Sequence, residues 1–266
     1  MNIFIRELKV NKFPLLFWSA SMFLFILAGV LKFSAYQTSG QSINQIIDQI
    51  PKSIQIILGL NVGVDLATAR GFYAILFFYI VPIATIHAAL LGAGIISKEE
   101  RDRTSEFLFV RPLTRAKAIT AKLLAAFCNV VVINIVTLIS SVWLVAIYNK
   151  GASATHDIIL LIVGMFFLQL IFLTLGAAVA GMSKKPKGSV SITAGILLFT
   201  FILSIFVDIY SKVENLKYLT PFKYFDAKSV LTSGKLDPFY LVLSAVIVVV
   251  LVAITYLFYT KRDLDV

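Results

Sequence analysis

Six long apolar runs divide the chain, and each is long enough to cross a lipid bilayer. They cover residues 14–33, 71–96, 123–148, 158–182, 190–209 and 239–259. A membrane-spanning helix needs about 20 predominantly apolar residues, so the pattern predicts an all-α membrane protein with six transmembrane helices. Nearly all of the 266 residues belong to these spans or to their connections, so the pattern predicts a single transmembrane domain over residues 1–266.

Three flanking segments also follow helical patterns. Residues 1–13 combine Arg6, Lys9 and Lys12 with apolar side chains, which is typical of a helix on the membrane surface and equally of the positive flank of a first span. Between spans one and two, isoleucines at helical spacing precede and follow Pro51, which predicts two short interfacial helices that act as a cap or a substrate lid. Residues 210–238 are too aromatic for a free loop, and we expect them to lie at the same membrane surface.

Polar and small residues inside the spans suggest how the helices pack. Ala84, Ala88 and Gly92 recur every four residues and would let another helix approach closely. The candidate polar residues are His87 in the second span and Asn134, Thr137 and Ser141 on one face of the third. They would line a polar path or bridge neighbouring helices, and the residue pattern leaves both alternatives open.

The distribution of basic residues predicts the orientation. The termini and the connections on their side hold 15 lysines and arginines, against 9 on the opposite side. Because positively charged connections stay in the cytoplasm, we expect both termini to be cytoplasmic in a multi-pass protein of the cell membrane. The net charge of +10 therefore indicates lipid head groups as anionic neighbours, and no nucleic acid partner is expected.

Residues 97–124 concentrate eleven charged side chains between two apolar spans. Ser97 and Glu100 have the spacing of a capping box, and a mixed-sign cluster of Glu99, Glu100, Arg101, Asp102 and Arg103 could pair at helical spacing. Four apolar residues, 107–110, then lie beside charges, and Thr114 fits the N-cap of the next helix. The segment is either a helix on the membrane surface or a docking helix for a cytoplasmic partner.

This segment resembles the coupling helix of type-2 permeases of ATP-binding cassette (ABC) exporters. The resemblance rests on Glu99-Glu100, then Arg103-Thr104-Ser105-Glu106-Phe107-Leu108, then Arg111-Pro112-Leu113-Thr114-Arg115. It implies an elbow helix over residues 1–13 and a coupling-helix loop over residues 97–117. It also implies a nucleotide-binding ATPase subunit docked on residues 103–108 and 111–113, and a second permease copy in a homodimer or heterodimer.

The chain has no G-x-x-x-x-G-K-[ST] motif, so we expect no ATP hydrolysis by this chain and no cofactor of its own; ATP would be bound by the partner. Cys128 is the sole cysteine and fits no metal-ligand spacing. An ion- or proton-coupled transporter is the first alternative, although no carboxylate lies mid-span. An intramembrane protease built on Glu99 and Glu100 is less favoured, because His87 and His156 are the only histidines. The apolar spans suggest amphipathic or hydrophobic cargo, such as a peptide, an antibiotic or a lipid-linked molecule.

Overall fold

The computed structural model describes residues 3–39, 43–61, 63–101, 114–149, 153–183 and 186–261. Most of these residues are helical and none of them forms a strand, and six helices among them are long and apolar enough to cross a membrane. The helices are α1 Ile3–Ser39, α2 Ile43–Asp48, α3 Lys52–Ile57, α4 Ala69–Arg101, α5 Arg115–Tyr148, α6 Thr155–Met182, α7 Pro186–Ile209, α8 Ala227–Ser233 and α9 Pro238–Lys261, with 3-10 helices at Ser211–Leu219 and Pro221–Lys223. The predicted all-α fold with six spans is confirmed.

Contacts at the helix ends define two ends of the bundle. At the first, Ile3 packs on Ala118, and the Arg115 guanidinium donates to the Thr260 carbonyl at 3.2 Å. We call this the terminal end, because α1 begins there and α9 finishes there. At the opposite end, Arg70 forms an ion pair with Asp157 at 2.9 Å. We call this the loop end, because the short helices between α7 and α9 cover it.

The centre of the bundle is the crossing of α4 and α6. A Cβ atom on Gly92 would lie 2.0 Å from the Leu173 carbonyl oxygen, and one on Gly176 would lie 2.4 Å from the Ala89 carbonyl oxygen. The two helices therefore meet backbone against backbone, and only glycine fits at either position. Ala84 and Ala88 are fully buried along the same stripe. The predicted close packing along this stripe is confirmed.

The N-terminal helix is longer than the sequence pattern suggested. α1 runs from Ile3 to Ser39 with Pro14 inside it, so residues 3–13 extend the first span as one continuous helix and do not form a separate one. Proline removes a single backbone donor, and long membrane helices tolerate that loss. The helix therefore has no break between residues 13 and 14, and the location of this segment on the membrane surface stays a prediction.

The two short helices predicted between the first spans are present as α2 and α3. Pro51 precedes α3, and Gly59, with φ of 69°, lies just beyond its end in the left-handed conformation that glycine adopts readily. Ile54 and Ile57 remain 45% and 49% exposed, which leaves an apolar face on α3. Their location at the membrane interface, like that of the helices between α7 and α9, stays a prediction.

The aromatic segment after α7 packs inward and covers the loop end. The Phe222 ring lies 5.2 Å from the rings of both Phe172 on α6 and Phe201 on α7. Its neighbour Lys223 forms ion pairs with Asp208 at 2.6 Å and Asp226 at 3.6 Å. Burial lowers the pKa of the Lys223 ammonium, but the attraction of the two carboxylates raises it by more. The pKa of Lys223 therefore lies above the ordinary value for lysine. The loop end is thus closed by rings and paired charges.

Candidate functional site

The predicted docking surface lies outside the described residues. It comprises Arg103, Thr104, Ser105, Glu106, Phe107, Leu108, Arg111, Pro112 and Leu113, and Asp102 of the predicted charged cluster lies outside the described residues as well. The backbone of Glu99, Glu100 and Arg101 forms the last turn of α4, and α5 begins at Arg115. The described helices therefore hold both sides of the coupling-helix loop at the terminal end.

One of the two predicted caps of this loop is confirmed and the other is wrong. The Thr114 hydroxyl accepts a hydrogen bond from the Lys117 amide at 3.4 Å, so Thr114 is the N-cap of α5 as predicted. Ser97 caps no helix, because α4 continues through it to Arg101. Its hydroxyl donates instead to the Ala93 carbonyl at 2.7 Å, one turn back in the same helix.

A buried lysine joins α5 to α4 close to the loop. Lys122 is 1% exposed, and its ammonium donates to the Ile95 carbonyl at 2.6 Å. Ile95 itself packs with Ile96 and Ile119 in one buried apolar cluster. A buried ammonium is costly unless it is hydrogen-bonded, so this contact fixes the start of α5 against the end of α4.

The start of α5 is also joined to α9. The Arg115 guanidinium donates to the Thr260 carbonyl, and the Thr120 and Tyr256 hydroxyls lie 2.7 Å apart. Tyr259 is buried between the same helices. Contacts near the start of α5 therefore join α4, α5 and α9 beside the predicted coupling-helix loop.

Two of the three candidate polar residues of α5 form hydrogen bonds to other helices in the middle of the bundle. The Asn134 carboxamide donates to the Gln169 side chain on α6, and Gln169 donates to the Ala84 carbonyl on α4 at 3.1 Å. Ser141 accepts from the Tyr73 hydroxyl at 2.8 Å. Thr137 donates to the Ile133 carbonyl of its own helix at 2.7 Å. This geometry links α4, α5 and α6, and a transport role for these residues stays a prediction.

The fourth candidate, His87, lies apart from this network. It faces a cavity of about 330 Å³, which we call the α1–α4 cleft. Its ring lies 5.3 Å from Trp18 on α1. The other polar side chains lining the α1–α4 cleft are Glu7, Asn11, Lys98 and Asn129. The sequence patterns had therefore grouped His87 with residues that lie on a different face of the bundle.

The chain matches the family described as ABC-2 family transporter protein over residues 1–264. It belongs to the ABC-2 transporter family. A search of curated proteins finds no match. Membership makes it a multi-pass permease subunit of an ABC transporter, the membrane-spanning component that pairs with a separate ABC ATPase. The resemblance noted at residues 97–117 thus extends to the whole chain.

Several residues of this ABC-2 permease were not singled out from the sequence. Glu7 is fully buried, and the helix-bridging partner of Asn134 is Gln169. A signal for Glu7 existed, because it is the sole acidic residue before Asp48, in a segment otherwise basic and apolar. Neither the burial of Glu7 nor the contact of Asn134 with Gln169 could be inferred from spacing, since both depend on which helices lie side by side.

Proposed function

We propose that the chain forms part of the translocation pathway of an ABC exporter in the cell membrane, with both termini in the cytoplasm. In this proposal the terminal end faces the ATPase, and two permease chains, identical or different, assemble with two nucleotide-binding subunits. ATP is bound only by those subunits, so the permease itself needs no cofactor. The cargo is amphipathic or hydrophobic: a peptide, an antibiotic or a lipid-linked molecule.

The orientation is supported by charge. The connections and termini that would be cytoplasmic carry 15 lysines and arginines, and the opposite side carries 9. A topology experiment replaces Cys128 and introduces one cysteine at Lys185 or at Lys235. An impermeant maleimide applied to intact cells should label the Lys235 variant alone. Labelling of the Lys185 variant from outside would reverse the orientation.

The observation that carries the coupling proposal is the joining of three spans beside the coupling-helix loop. Lys122 bonds the Ile95 carbonyl of α4, and Arg115 bonds the Thr260 carbonyl of α9. A push on the loop by the ATPase would therefore move these helices as a group. Phe107 and Leu108 are the proposed anchors, because an apolar pair between charges needs a groove on the partner.

The test combines Phe107→Ala with Leu108→Ala and measures co-purification with the co-expressed ATPase subunit. Buried anchors typically contribute about 2 kcal/mol or more each, and about 1.4 kcal/mol is tenfold in affinity, so we expect affinity to fall more than tenfold. The matched control is Leu124→Ala with Phe127→Ala, which removes the same two side chains from exposed positions of α5, 52% and 41% exposed. Membrane insertion should survive in both variants.

Two outcomes would contradict this assignment. The first is retention of the ATPase at wild-type stoichiometry and salt resistance in the Phe107 and Leu108 variant, which would make the loop a membrane-surface helix. The second is ATP hydrolysis by the purified permease alone, inhibited by vanadate and free of contaminating ATPase. Glu100→Gln should leave docking intact and lower efflux, because it removes a charge that positions the helix beside the groove.

A further inference from the structure

The α1–α4 cleft contains a carboxylate that nothing in the described structure neutralises. Glu7 is 0% exposed, and both of its carboxylate oxygens lack a hydrogen-bond partner among the described residues. The Nδ1 atom of His87, which lines the same cavity, is also buried without a partner there. A buried carboxylate is strongly disfavoured unless a cation or hydrogen-bond donors reach it. The cleft is therefore shaped to receive a donor group from outside these residues.

The cleft wall carries a positive charge as well. Lys98, in the final turns of α4, lines the cavity at the terminal end, where Glu7 also lies, yet the two side chains form no ion pair. Asn11 and Asn129 add carboxamide groups to the same wall. One carboxylate and one ammonium held apart in a single cavity match a ligand with both signs of charge.

The polarity of the cleft changes along the helix axis. Glu7 and Trp18 both line it, and eleven residues of helix at 1.5 Å each separate them by about 16 Å. The charged residues lie at the terminal end, whereas the wall deeper in the bundle is mostly apolar, formed by Leu15, Trp18 and Leu90, with His87 as its polar member. The volume of about 330 Å³ is within the range of small-molecule sites, roughly 300 to 1,000 Å³. An amphiphile aligned with the helices would match this gradient.

We propose that the α1–α4 cleft binds an aminophospholipid of the phosphatidylethanolamine type. Its primary ammonium donates to the Glu7 carboxylate, its phosphate faces Lys98, and one acyl chain lies along Leu15 and Trp18. The assignment concerns a bound lipid and goes beyond the role of the chain as a permease. Only the leaflet from which the lipid comes depends on the proposed orientation.

The binding experiment uses Trp18 as its reporter. The chain has two tryptophans, and Trp143 is 56% exposed on α5, so Trp143→Phe leaves Trp18 as the sole tryptophan, which can be excited selectively over the tyrosines. The full chain in maltoside micelles is titrated with dihexanoyl phosphatidylethanolamine, phosphatidylcholine or phosphatidylglycerol. We expect saturable binding of phosphatidylethanolamine at least tenfold tighter than that of phosphatidylglycerol, which has no ammonium. Phosphatidylcholine should fall between them, because its quaternary ammonium has no N–H to donate.

Two variants locate the recognition. Glu7→Gln should abolish the preference for phosphatidylethanolamine, and Lys98→Gln should weaken all three phospholipids together. The matched control Glu214→Gln removes an exposed carboxylate at the loop end and should change nothing. The elution volume and the Trp18 emission maximum check that each variant is folded. Equal affinity for the three lipids, or a preference that survives Glu7→Gln, would overturn the proposal.

Discussion

The two ends of the bundle treat charged side chains differently. At the loop end, Arg70 pairs with Asp157, and Lys223 lies between Asp208 and Asp226. At the terminal end, Glu7 is buried without a partner among the described residues. Lys122 and Arg115 donate there to backbone carbonyls, at 2.6 Å and 3.2 Å, in addition to other contacts.

The loop end thus pairs its charged side chains with one another, whereas the terminal end leaves a buried carboxylate without a partner among the described residues. At the loop end, aromatic rings and ion pairs within the chain hold the covering segment to the bundle. The terminal end combines three helices joined around the coupling-helix loop with a polar cleft that is suited to a ligand. In an ABC-2 permease the proposed ATPase contact and the proposed lipid site would both lie at that end.

The largest effect on folding is expected for a substitution at the crossing of α4 and α6, which lies between the two ends of the bundle. A side chain on Gly176 would have its Cβ 2.4 Å from the Ala89 carbonyl oxygen. Gly176→Leu should therefore prevent recovery of folded protein, because backbone atoms cannot yield as side chains do. Gly195→Leu is the control, since a Cβ there meets nothing within 4 Å. Size-exclusion profiles in detergent distinguish the two, and a monodisperse Gly176 variant would contradict this packing.

A substitution that loosens only the loop end should destabilise the protein less than Gly176→Leu does. Phe222 is 9% exposed and contacts Phe172 and Phe201, so Phe222→Ala removes the ring that holds the aromatic segment to the bundle. We expect a destabilisation of about 3 kcal/mol, with faster tryptic cleavage after Lys223. Phe239→Ala serves as the control, because its ring is 56% exposed. If both variants melted at the same temperature, the closed loop end would not depend on Phe222.

The features predicted correctly from sequence are those that depend on the residues of a single helix. Six spans followed from the lengths of the apolar runs, and the Gly92 stripe followed from four-residue spacing within α4. The N-cap at Thr114 was also correct, because a cap is a contact within four residues. In each case the physical cause lies inside the segment from which the prediction was made.

Sequence patterns misled the prediction of helix boundaries where the same pattern occurs both at the start of a helix and inside one. A serine and a glutamate three residues apart fit a capping box at a helix start, but the same spacing also occurs inside a helix. α4 continues past Ser97, because the helix is already anchored by its buried contacts with α6. Pro14 likewise signals a boundary in isolation and not in a long membrane helix. The burial of Glu7 could not be predicted, since it depends on how α1 packs against its neighbours.

At the terminal end, Glu7→Gln tests whether the buried carboxylate is unpaired. If the carboxylate is charged and unpaired without a ligand, its neutral isostere should stabilise the delipidated protein by about 1 kcal/mol. Thermal unfolding in maltoside with and without dihexanoyl phosphatidylethanolamine measures this. The lipid should raise the melting temperature of the wild type more than that of the variant. A variant less stable than the wild type without lipid would show that Glu7 already has a partner.

The smallest effect on stability is expected for the loss of the ion pairs of Lys223 at the loop end, and it should depend on pH. The folded-state pKa of Lys223 is raised by Asp226 and Asp208 against the opposing effect of burial. A raised pKa means that the stabilisation is fully present below the unfolded-state value of about 10.4 and is lost as the pH rises through the higher folded-state value. Lys223→Gln should therefore lower stability by about 1 kcal/mol at neutral pH, and its difference from the wild type should shrink only above about pH 10.4. Lys235→Gln, at an exposed position, should match the wild type throughout. A difference that vanished between pH 5 and pH 8 would mean that another group, not the lysine, controls this end.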